Sequence, residues 1–312
     1  MGQFNKKEFN RAVARNAFYF FRAVFRHSPY ALVKALAGVI ISVGFLMVKS
    51  KRDIAKESLD IAFGTAISDQ EKNRIIKDCF STLGRSMVEL LYYADHPQMI
   101  PQKAFFENIH YLQDALKEGK GAILVSGHFG NFPLMLLHLV REGFPTSVIL
   151  RPSRDQIIEK DFQKLRDDNG LKTIFSLPRT TCVAKALRTL RNNECLFIPC
   201  DQNFGMKGGV FVDFFGRKAS TPTGPAVFAM RTGAPIVPIF THRFEGDRHK
   251  IIVEKPFHLE IKESDDATVF ACMEKITQII ESYIRKHPAE WGWFHRRWKT
   301  QRQESQEIVA DV

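Results

Sequence analysis

Between residues 122 and 253, short apolar segments alternate with amphipathic segments of helical periodicity, and this alternation strongly limits the possible folds. Short apolar runs bounded by turn-forming residues are typical of strands buried on both faces. A repeated order of strand, helix and strand builds a parallel sheet with helices on both sides. The sequence therefore predicts an α/β fold with a mostly parallel central sheet flanked by helices. The predicted strands are 122–126, 147–150, 173–175, 195–199, 210–214, 236–240 and 250–253, and the predicted helices are 132–141, 155–168, 181–191, 222–231 and 267–286.

Residues 53–96 carry apolar side chains at helical spacing, which predicts helices before the alternating region. Ser68, followed three residues later by Glu71, has the spacing of a capping box and predicts a helix start. We therefore divide the chain into basic and apolar helices at 1–52, an α/β domain at 53–302 and a polar tail at 303–312.

The net charge of +11 is concentrated at the N-terminus, where residues 1–52 contain ten Lys or Arg residues and one acid, Glu8. These charges flank an uncharged apolar stretch at 35–48, which reaches nineteen residues, with Lys34 near one end, when it is extended back to Tyr30. A membrane span needs about 20 apolar residues. Upstream, Phe residues alternate with Arg residues, a pattern typical of a helix on an anionic membrane. We predict membrane-anchoring helices, whether spanning or lying on the bilayer; a buried helix pair in a soluble protein is the alternative.

Several common function classes lack their sequence signals. The chain has no P-loop, no G-x-G-x-x-G, no G-x-S-x-G and no H-E-x-x-H motif, and no residue cluster supports a metal site. A basic protein also attracts nucleic acid, but no recognised nucleic-acid-reading motif is present, so no such partner is expected. The five cysteines form no C-x-x-C pair and favour a reducing compartment over a disulfide framework.

His128 is the first candidate catalytic residue. It follows the apolar run that ends at Ser126 and precedes the predicted helix at 132–141, so it lies beyond the carboxyl end of a strand. Open α/β sheets bind ligands at this edge, and free N–H groups at a helix start favour an anion or a developing oxyanion. A neutral imidazole there can act as general base on a hydroxyl. A structural or capping His is the alternative.

Two further strand ends carry polar side chains. Asp201 and Gln202 follow the run 195–199, and Arg151 follows the run 147–150. Asp201 can orient an imidazole; the alternative is that it belongs to a polar turn. Arg151 can contact a phosphate or carboxylate; the alternative is that it lies in a solvated loop. Thr221, before Pro222, predicts the N-cap of the next helix.

The order of these blocks resembles the bacterial lipid A biosynthesis lauroyl/myristoyl acyltransferases, within the lysophospholipid acyltransferase superfamily. The resemblance covers most of the chain. It rests on the segments 52–55, 62–63, 127–131, 151–152, 201–202, 209–216, 232–238 and 287–299, which read RDIA, AF, GHFGN, RP, DQ, GVFVDFFG, TGAPIVP and HPAEWGWFHRRWK.

The resemblance implies an enzyme on the cytoplasmic face of the bacterial inner membrane. It implies transfer of an acyl chain from an acyl carrier protein or coenzyme A thioester to a hydroxyl of a lipid acceptor, often a lipid A precursor, without a further cofactor. His128 matches the general base of the family's H-x4-D/E motif. The candidate substrate-binding residues are Asn131, Arg151, Gln202, Gly209 and Phe211. The partners it implies are the thioester donor, the lipid acceptor and an anionic membrane.

The sequence departs from the family pattern five residues after His128, where Pro133 replaces the expected Asp or Glu. Proline has neither a carboxylate to fix the imidazole tautomer nor an N–H. Asp201 is our first candidate for the missing acid and Glu89 the second; Asn131 with a backbone carbonyl is the third option. The alternative function is a catalytically inactive lipid-binding protein of the same fold.

Overall fold

A computed structural model describes residues 6–153, 155–206 and 208–301; the polar tail predicted at 303–312 lies outside these residues. The helices are α1 (Lys6–His27), α2 (Tyr30–Met47), α3 (Lys49–Phe63), α4 (Asp69–Asp95), α5 (Ile100–Lys103), α6 (His110–Lys117), α7 (Phe132–Arg141), α8 (Gln156–Asp168), α9 (Arg179–Arg191), α10 (Gly224–Thr232) and α11 (Asp265–Lys286). The strands are β1 (Ala104–Glu107), β2 (Ala122–Ser126), β3 (Thr146–Leu150), β4 (Lys172–Phe175), β5 (Cys195–Pro199), β6 (Gly209–Phe214), β7 (Arg217–Pro222), β8 (Ile236–Phe244) and β9 (Arg248–Val253).

The main sheet has the strand order β1-β9-β8-β2-β5-β3-β4. Strand β2 pairs in parallel with both β5 and β8, and β3 pairs in parallel with β5 and β4. Only β8 and β9 pair antiparallel within this sheet of the described chain. The predicted α/β fold with a mostly parallel sheet is therefore confirmed.

Helices cover both faces of the sheet. Along β2, Ile123 and Val125 belong to a core cluster that includes residues of α9, α10 and α11, whereas Ala122 and Leu124 belong to a second cluster that includes residues of α4 and α7. Because successive strand residues point to opposite faces, burial on both sides requires a continuous apolar run. This requirement explains why β2 and β5 were recognisable in the sequence.

The prediction that 210–214 is a strand is confirmed, but this strand, β6, pairs antiparallel with β7 outside the main sheet. Phe215 and Gly216 connect the two strands, and both have positive φ, 56° and 72°. Two residues with positive φ form the tight turn that matches the twist of a hairpin. The predicted N-cap at Thr221 is wrong: Thr221 lies in β7, and α10 begins at Gly224.

The predicted helix start at Ser68 is confirmed as that of α4, since Ser68 Oγ accepts a hydrogen bond from Glu71 N at 3.1 Å, while the Glu71 carboxylate pairs with Arg74. Before it, α2 is long and apolar enough to cross a membrane, with a mean hydropathy of 2.0 over 18 residues, of which 11% are buried. The two buried residues are Val33 and Ala37. Most of α2 is therefore exposed, unlike a helix buried in a soluble core.

Gly130 allows the loop after β2 to lie against β8. Its φ is +58°, and a Cβ at this position would lie 1.8 Å from the carbonyl oxygen of Thr241. The N–H of Gly130 also donates to the carbonyl oxygen of Glu290 at 2.8 Å. A side chain at 130 would therefore push this loop away from the sheet.

We expect Gly130→Ala to destabilise the protein more than Gly233→Ala, a control in the left-handed region with φ +68°, where the nearest atoms to an added Cβ are those of the Lys120 side chain at 3.6 Å. The control should cost about 1 kcal/mol through backbone strain, and Gly130→Ala about 1–3 kcal/mol more through overpacking. Urea unfolding followed by circular dichroism measures both values. Equal losses for the two variants would contradict the close approach to Thr241.

Candidate active site

His128 and Asp201 meet beyond the carboxyl ends of β2 and β5. The register of these strands pairs Ser126 with Pro199, so the residues two positions further on face each other. His128 Nδ1 lies 2.7 Å from Asp201 Oδ1, and the backbone N–H of His128 donates to Asp201 Oδ2 at 2.8 Å. The imidazole and the carboxylate therefore form a hydrogen-bonded pair that the backbone also fixes.

Asp201 is held in the interior as a carboxylate. Its side chain is 0% exposed, and Trp291 Nε1 donates to its Oδ2 at 2.7 Å. Burial alone would raise the pKa of Asp201, but the charge and hydrogen bonds of His128 outweigh it and hold the pKa well below its ordinary value. An ionised Asp201 accepts the Nδ1–H of His128, which leaves the lone pair of the imidazole on Nε2.

The Nε2 atom of His128 faces Gln202. The side-chain nitrogen of Gln202 lies 3.2 Å away and donates to Nε2 when Nδ1 carries the ring proton. Burial lowers the pKa of His128, whereas the charge and hydrogen bond of Asp201 raise it, and the net pKa is above its ordinary value. The site thus holds an imidazole whose protonated form Asp201 stabilises.

A cavity of about 710 Å³ opens beside His128. This volume is typical of small-molecule sites. Exposed Leu177 and Phe204 mark its mouth, and His128 and Gln202 line it together with Pro133. Most of the remaining wall is apolar, including Leu90, Phe132, Leu136, Leu137, Val148, Leu165, Leu171 and Ile198. An elongated apolar ligand could enter this cavity and still reach the imidazole.

The rim of the cavity carries positive charge. Arg151 is exposed after β3, and Arg179 begins α9 with its guanidinium 5.8 Å from the ring centroid of Phe204. Arg166 also lines the cavity, but it is paired with Glu159 at 2.6 Å. Arg151 and Arg179 are thus placed to contact an anionic group at the entrance.

Glu89, the second candidate for the missing acid, bonds other partners. Its carboxylate accepts from Arg243 Nη1 at 2.7 Å, from Asn131 Nδ2 at 2.9 Å and from the Tyr30 hydroxyl at 3.3 Å, and it lies 2.8 Å from His249 Nε2. Burial alone would raise the pKa of Glu89, but the hydrogen bonds and charges of His249 and Arg243 lower it to about 2. Glu89 therefore forms a buried ion cluster that is separate from the His128–Asp201 pair and lies beside the loop between β2 and α7.

Asn131 serves as the N-cap of α7, where its Oδ1 accepts from Leu134 N at 3.2 Å while its Nδ2 donates to Glu89. Both ends of this buried amide are engaged within the protein. Gly209 and Phe211 lie on β6 and are not among the described residues that line the cavity. The substrate-binding roles of these three residues stay predictions.

The loop before α7 offers fewer free N–H groups than the sequence suggested. The N–H groups of His128, Gly130 and Leu134 bond Asp201, Glu290 and Asn131, and Pro133 has none. The loop thus uses these three amides to fix its own conformation, and an anion site at this helix start stays a prediction.

Sequence reasoning missed that two residues of the segment 287–299 support the site, and it counted one of them, Arg297, in a basic surface cluster. Trp291 is 0% exposed and bonds Asp201 through its indole N–H. Arg297 is also 0% exposed and donates to the carbonyl oxygen of Ser220 and to Thr221 Oγ1, both at 2.5 Å. Its Nη1 also lies 3.5 Å from the carbonyl oxygen of Gln202. The high content of Trp and Arg in this segment was the only sequence feature that could have indicated its importance. Its contacts in the folded protein show that it supports the site.

Comparison with known proteins identifies the family of the chain. Residues 9–300 match the family described as bacterial lipid A biosynthesis acyltransferase. The lipid A biosynthesis lauroyltransferase of Escherichia coli (strain K12) is 23% identical over 282 residues, 87% of each chain. The palmitoleoyltransferase of the same organism is 25% identical over 279 residues, 87% of this chain and 86% of the relative. The phosphatidylinositol mannoside acyltransferase of Mycolicibacterium smegmatis is 27% identical over 195 residues, 61% of each chain. Because the match spans almost the whole chain, the protein belongs to the bacterial lipid A biosynthesis acyltransferase family.

Proposed function

We propose that this protein is a membrane-associated O-acyltransferase with His128 as its general base. It moves a fatty acyl chain from an acyl carrier protein or coenzyme A thioester to a hydroxyl of a lipid acceptor. The observation that carries the proposal is the His128–Asp201 pair, 2.7 Å apart, on the wall of an apolar cavity of about 710 Å³. One end of the site thus suits proton transfer and the other suits an acyl chain.

In the proposed reaction, His128 Nε2 takes the proton of the acceptor hydroxyl while the hydroxyl oxygen attacks the thioester carbonyl carbon. The acceptor hydroxyl takes the place of Gln202 as the donor to Nε2, which frees the Gln202 amide to donate to the developing oxyanion. The carbon–sulfur bond then breaks, and the leaving thiolate takes the proton from His128. The products are an ester and a thiol, and no further cofactor is required.

The family motif expects an acidic residue at position 133, where this chain has proline. We assign the role of that acid to Asp201. It fixes the imidazole tautomer through Nδ1–H and stabilises the imidazolium formed after proton transfer. Trp291 in turn keeps the second carboxylate oxygen in place. This pairing favours an active enzyme over the inactive lipid-binding alternative.

The acceptor we favour is a lipid A precursor, since the relatives that cover most of this chain are named lipid A acyltransferases. Arg151 and Arg179 at the cavity rim suit phosphate groups of such a lipid or of the donor. The basic, apolar helices α1 and α2 support a site on an anionic membrane, and the resemblance to the family implies the cytoplasmic face of the bacterial inner membrane.

We expect His128→Ala and Asp201→Asn to lower acyl transfer about 10²- to 10⁴-fold, because the first removes the base and the second its orienting partner. Transfer of a radiolabelled acyl chain from acyl carrier protein to a lipid A precursor measures the rate. Asp168→Asn, an exposed carboxylate on α8, is the matched control and should retain full activity. Undiminished transfer in His128→Ala would exclude His128 as the base; no transfer by the wild type with either donor would favour the inactive alternative.

The pH dependence should show the same pairing. His128 accepts a proton only when neutral, and Asp201 raises its pKa, so activity should fall as the pH drops through a value above about 6.5. In Asp201→Asn the residual activity should persist to lower pH, because burial alone lowers the pKa of His128. The midpoint of the acidic limb, measured in wild type and variant, checks this prediction; an unchanged midpoint would contradict it.

Cavity depth should select acyl chain length. Leu165 lines the cavity and is 3% exposed, so Leu165→Phe fills space at its buried wall. We expect the products to shift toward shorter chains when a mixture of acyl donors is offered, as measured by mass spectrometry. Leu177→Phe, the same change at a cavity residue that is 54% exposed, should leave the chain length unchanged. A shift in the control alone would place the acyl chain elsewhere.

A further inference from the structure

We propose that α2 does not cross the membrane but lies in the plane of one leaflet, with its exposed apolar face in lipid. The proposal rests on the membrane association given under the proposed function and adds the orientation of the anchor. The main evidence for this orientation is the packing of α2 on α4, because this packing determines which sides of α2 lipid can reach.

Helix α2 runs antiparallel to α4 and contacts it from end to end. At one end the rings of Tyr30 and Tyr93 are 5.4 Å apart, and at the other the rings of Phe45 and Phe80 are 5.5 Å apart. Between them, Ile41 packs so closely on Gly84 that a Cβ at 84 would lie 2.7 Å from its side chain. The folded domain therefore flanks α2 along its whole length rather than at one end.

The two sides of α2 differ in burial. The residues that are buried or half-buried recur at helical spacing, at positions 30, 33, 37, 41, 44, 45 and 48. The opposite face is exposed and carries the large apolar side chains of Leu32, Leu36, Val39, Ile40, Val43, Leu46 and Met47. Apolar side chains lie on both sides of α2, but α4 covers one side, so lipid can reach α2 only from the other side along its whole length.

A membrane-spanning α2 would take charged groups of the folded domain into the bilayer. Arg85 is exposed on α4 next to Gly84, which contacts the middle part of α2. Beside Tyr30, Glu89 is bonded to Arg243, and Lys34 of α2 is ion-paired with Asp247. Placing charged side chains in the hydrocarbon core costs free energy. An α2 that spans the bilayer would therefore have to separate from α4.

The ends of α2 also suit an in-plane position. At about 1.5 Å per residue the helix is roughly 27 Å long, close to the ~30 Å hydrocarbon core, so its length fits either orientation and the charges at its ends decide. Lys34 lies near its first residue, and Lys49, Lys51 and Arg52 follow its last. Cations at both ends, together with the basic helix α1, can contact the anionic headgroups of the same leaflet.

Single cysteines at the two ends of α2 test this orientation. All five native cysteines are buried and give a low background. Ser28→Cys and Ser50→Cys flank α2, and Ser282→Cys on the exposed side of α11 is the control that reports the side of the folded domain. A membrane-impermeant maleimide is applied to sealed spheroplasts and, separately, to inside-out inner-membrane vesicles of cells producing the full chain.

We expect all three cysteines to be labelled in inside-out vesicles and protected in spheroplasts. Labelling of Ser28→Cys and Ser50→Cys from opposite sides would overturn the in-plane orientation and leave the membrane association intact. Recovery of the protein in the soluble fraction would overturn both.

A depth measurement separates the two orientations independently. Nitroxide labels at Leu36→Cys, Val39→Cys and Val43→Cys, all on the exposed face, should lie at one shared depth of about 5–10 Å. In a spanning helix the label at Val39 would lie near the bilayer centre, about 15 Å deep, with the other two shallower. Quenching of the nitroxide signals by oxygen and by a water-soluble nickel complex gives these depths, and a graded profile would overturn the proposal.

Discussion

The Asp201 carboxylate accepts hydrogen bonds from the backbone and side chain of His128 and from the indole of Trp291, in a position with no exposure to solvent. These bonds connect the ends of β2 and β5 with the segment that follows α11. Burying a carboxylate costs several kcal/mol unless hydrogen bonds and an opposite charge compensate. The geometry of the imidazole therefore depends on the closure of three separate parts of the chain around one carboxylate.

Glu89 organises a second buried cluster beside the first. It holds Asn131, which caps α7, and it bonds Arg243 and His249 of β8 and β9. It also accepts from Tyr30 at the start of α2, the helix that we place in lipid. The loop that carries His128 is thus supported by the same ion cluster that fixes one end of the proposed anchor, so the orientation that we propose for α2 would place the cavity near the membrane surface.

Much of the fold was predictable because burial on both faces of a sheet leaves a clear sequence pattern. The predicted segments 122–126, 195–199 and 132–141 coincide with β2, β5 and α7. Strands β1 and β7 were missed, since neither is a continuous buried run: Phe105, Phe106 and Glu107 of β1 are only half-buried, and β7 is polar. The hairpin of β6 and β7 turns at Phe215-Gly216, which lacks the usual Asn-Gly or Asp-Gly signal.

The sequence by itself determined that His128 and Asp201 follow two buried strands, because a strand's end can be located from local apolar patterning. Only the tertiary structure decided that Asp201 reaches the imidazole while Glu89 does not, because that choice depends on which strands are neighbours and on the cations that compete for each carboxylate. The same reason applies to α2. The apolar composition of α2 is a local property of the sequence. Which face of α2 stays exposed depends on the packing of α4 against the opposite face.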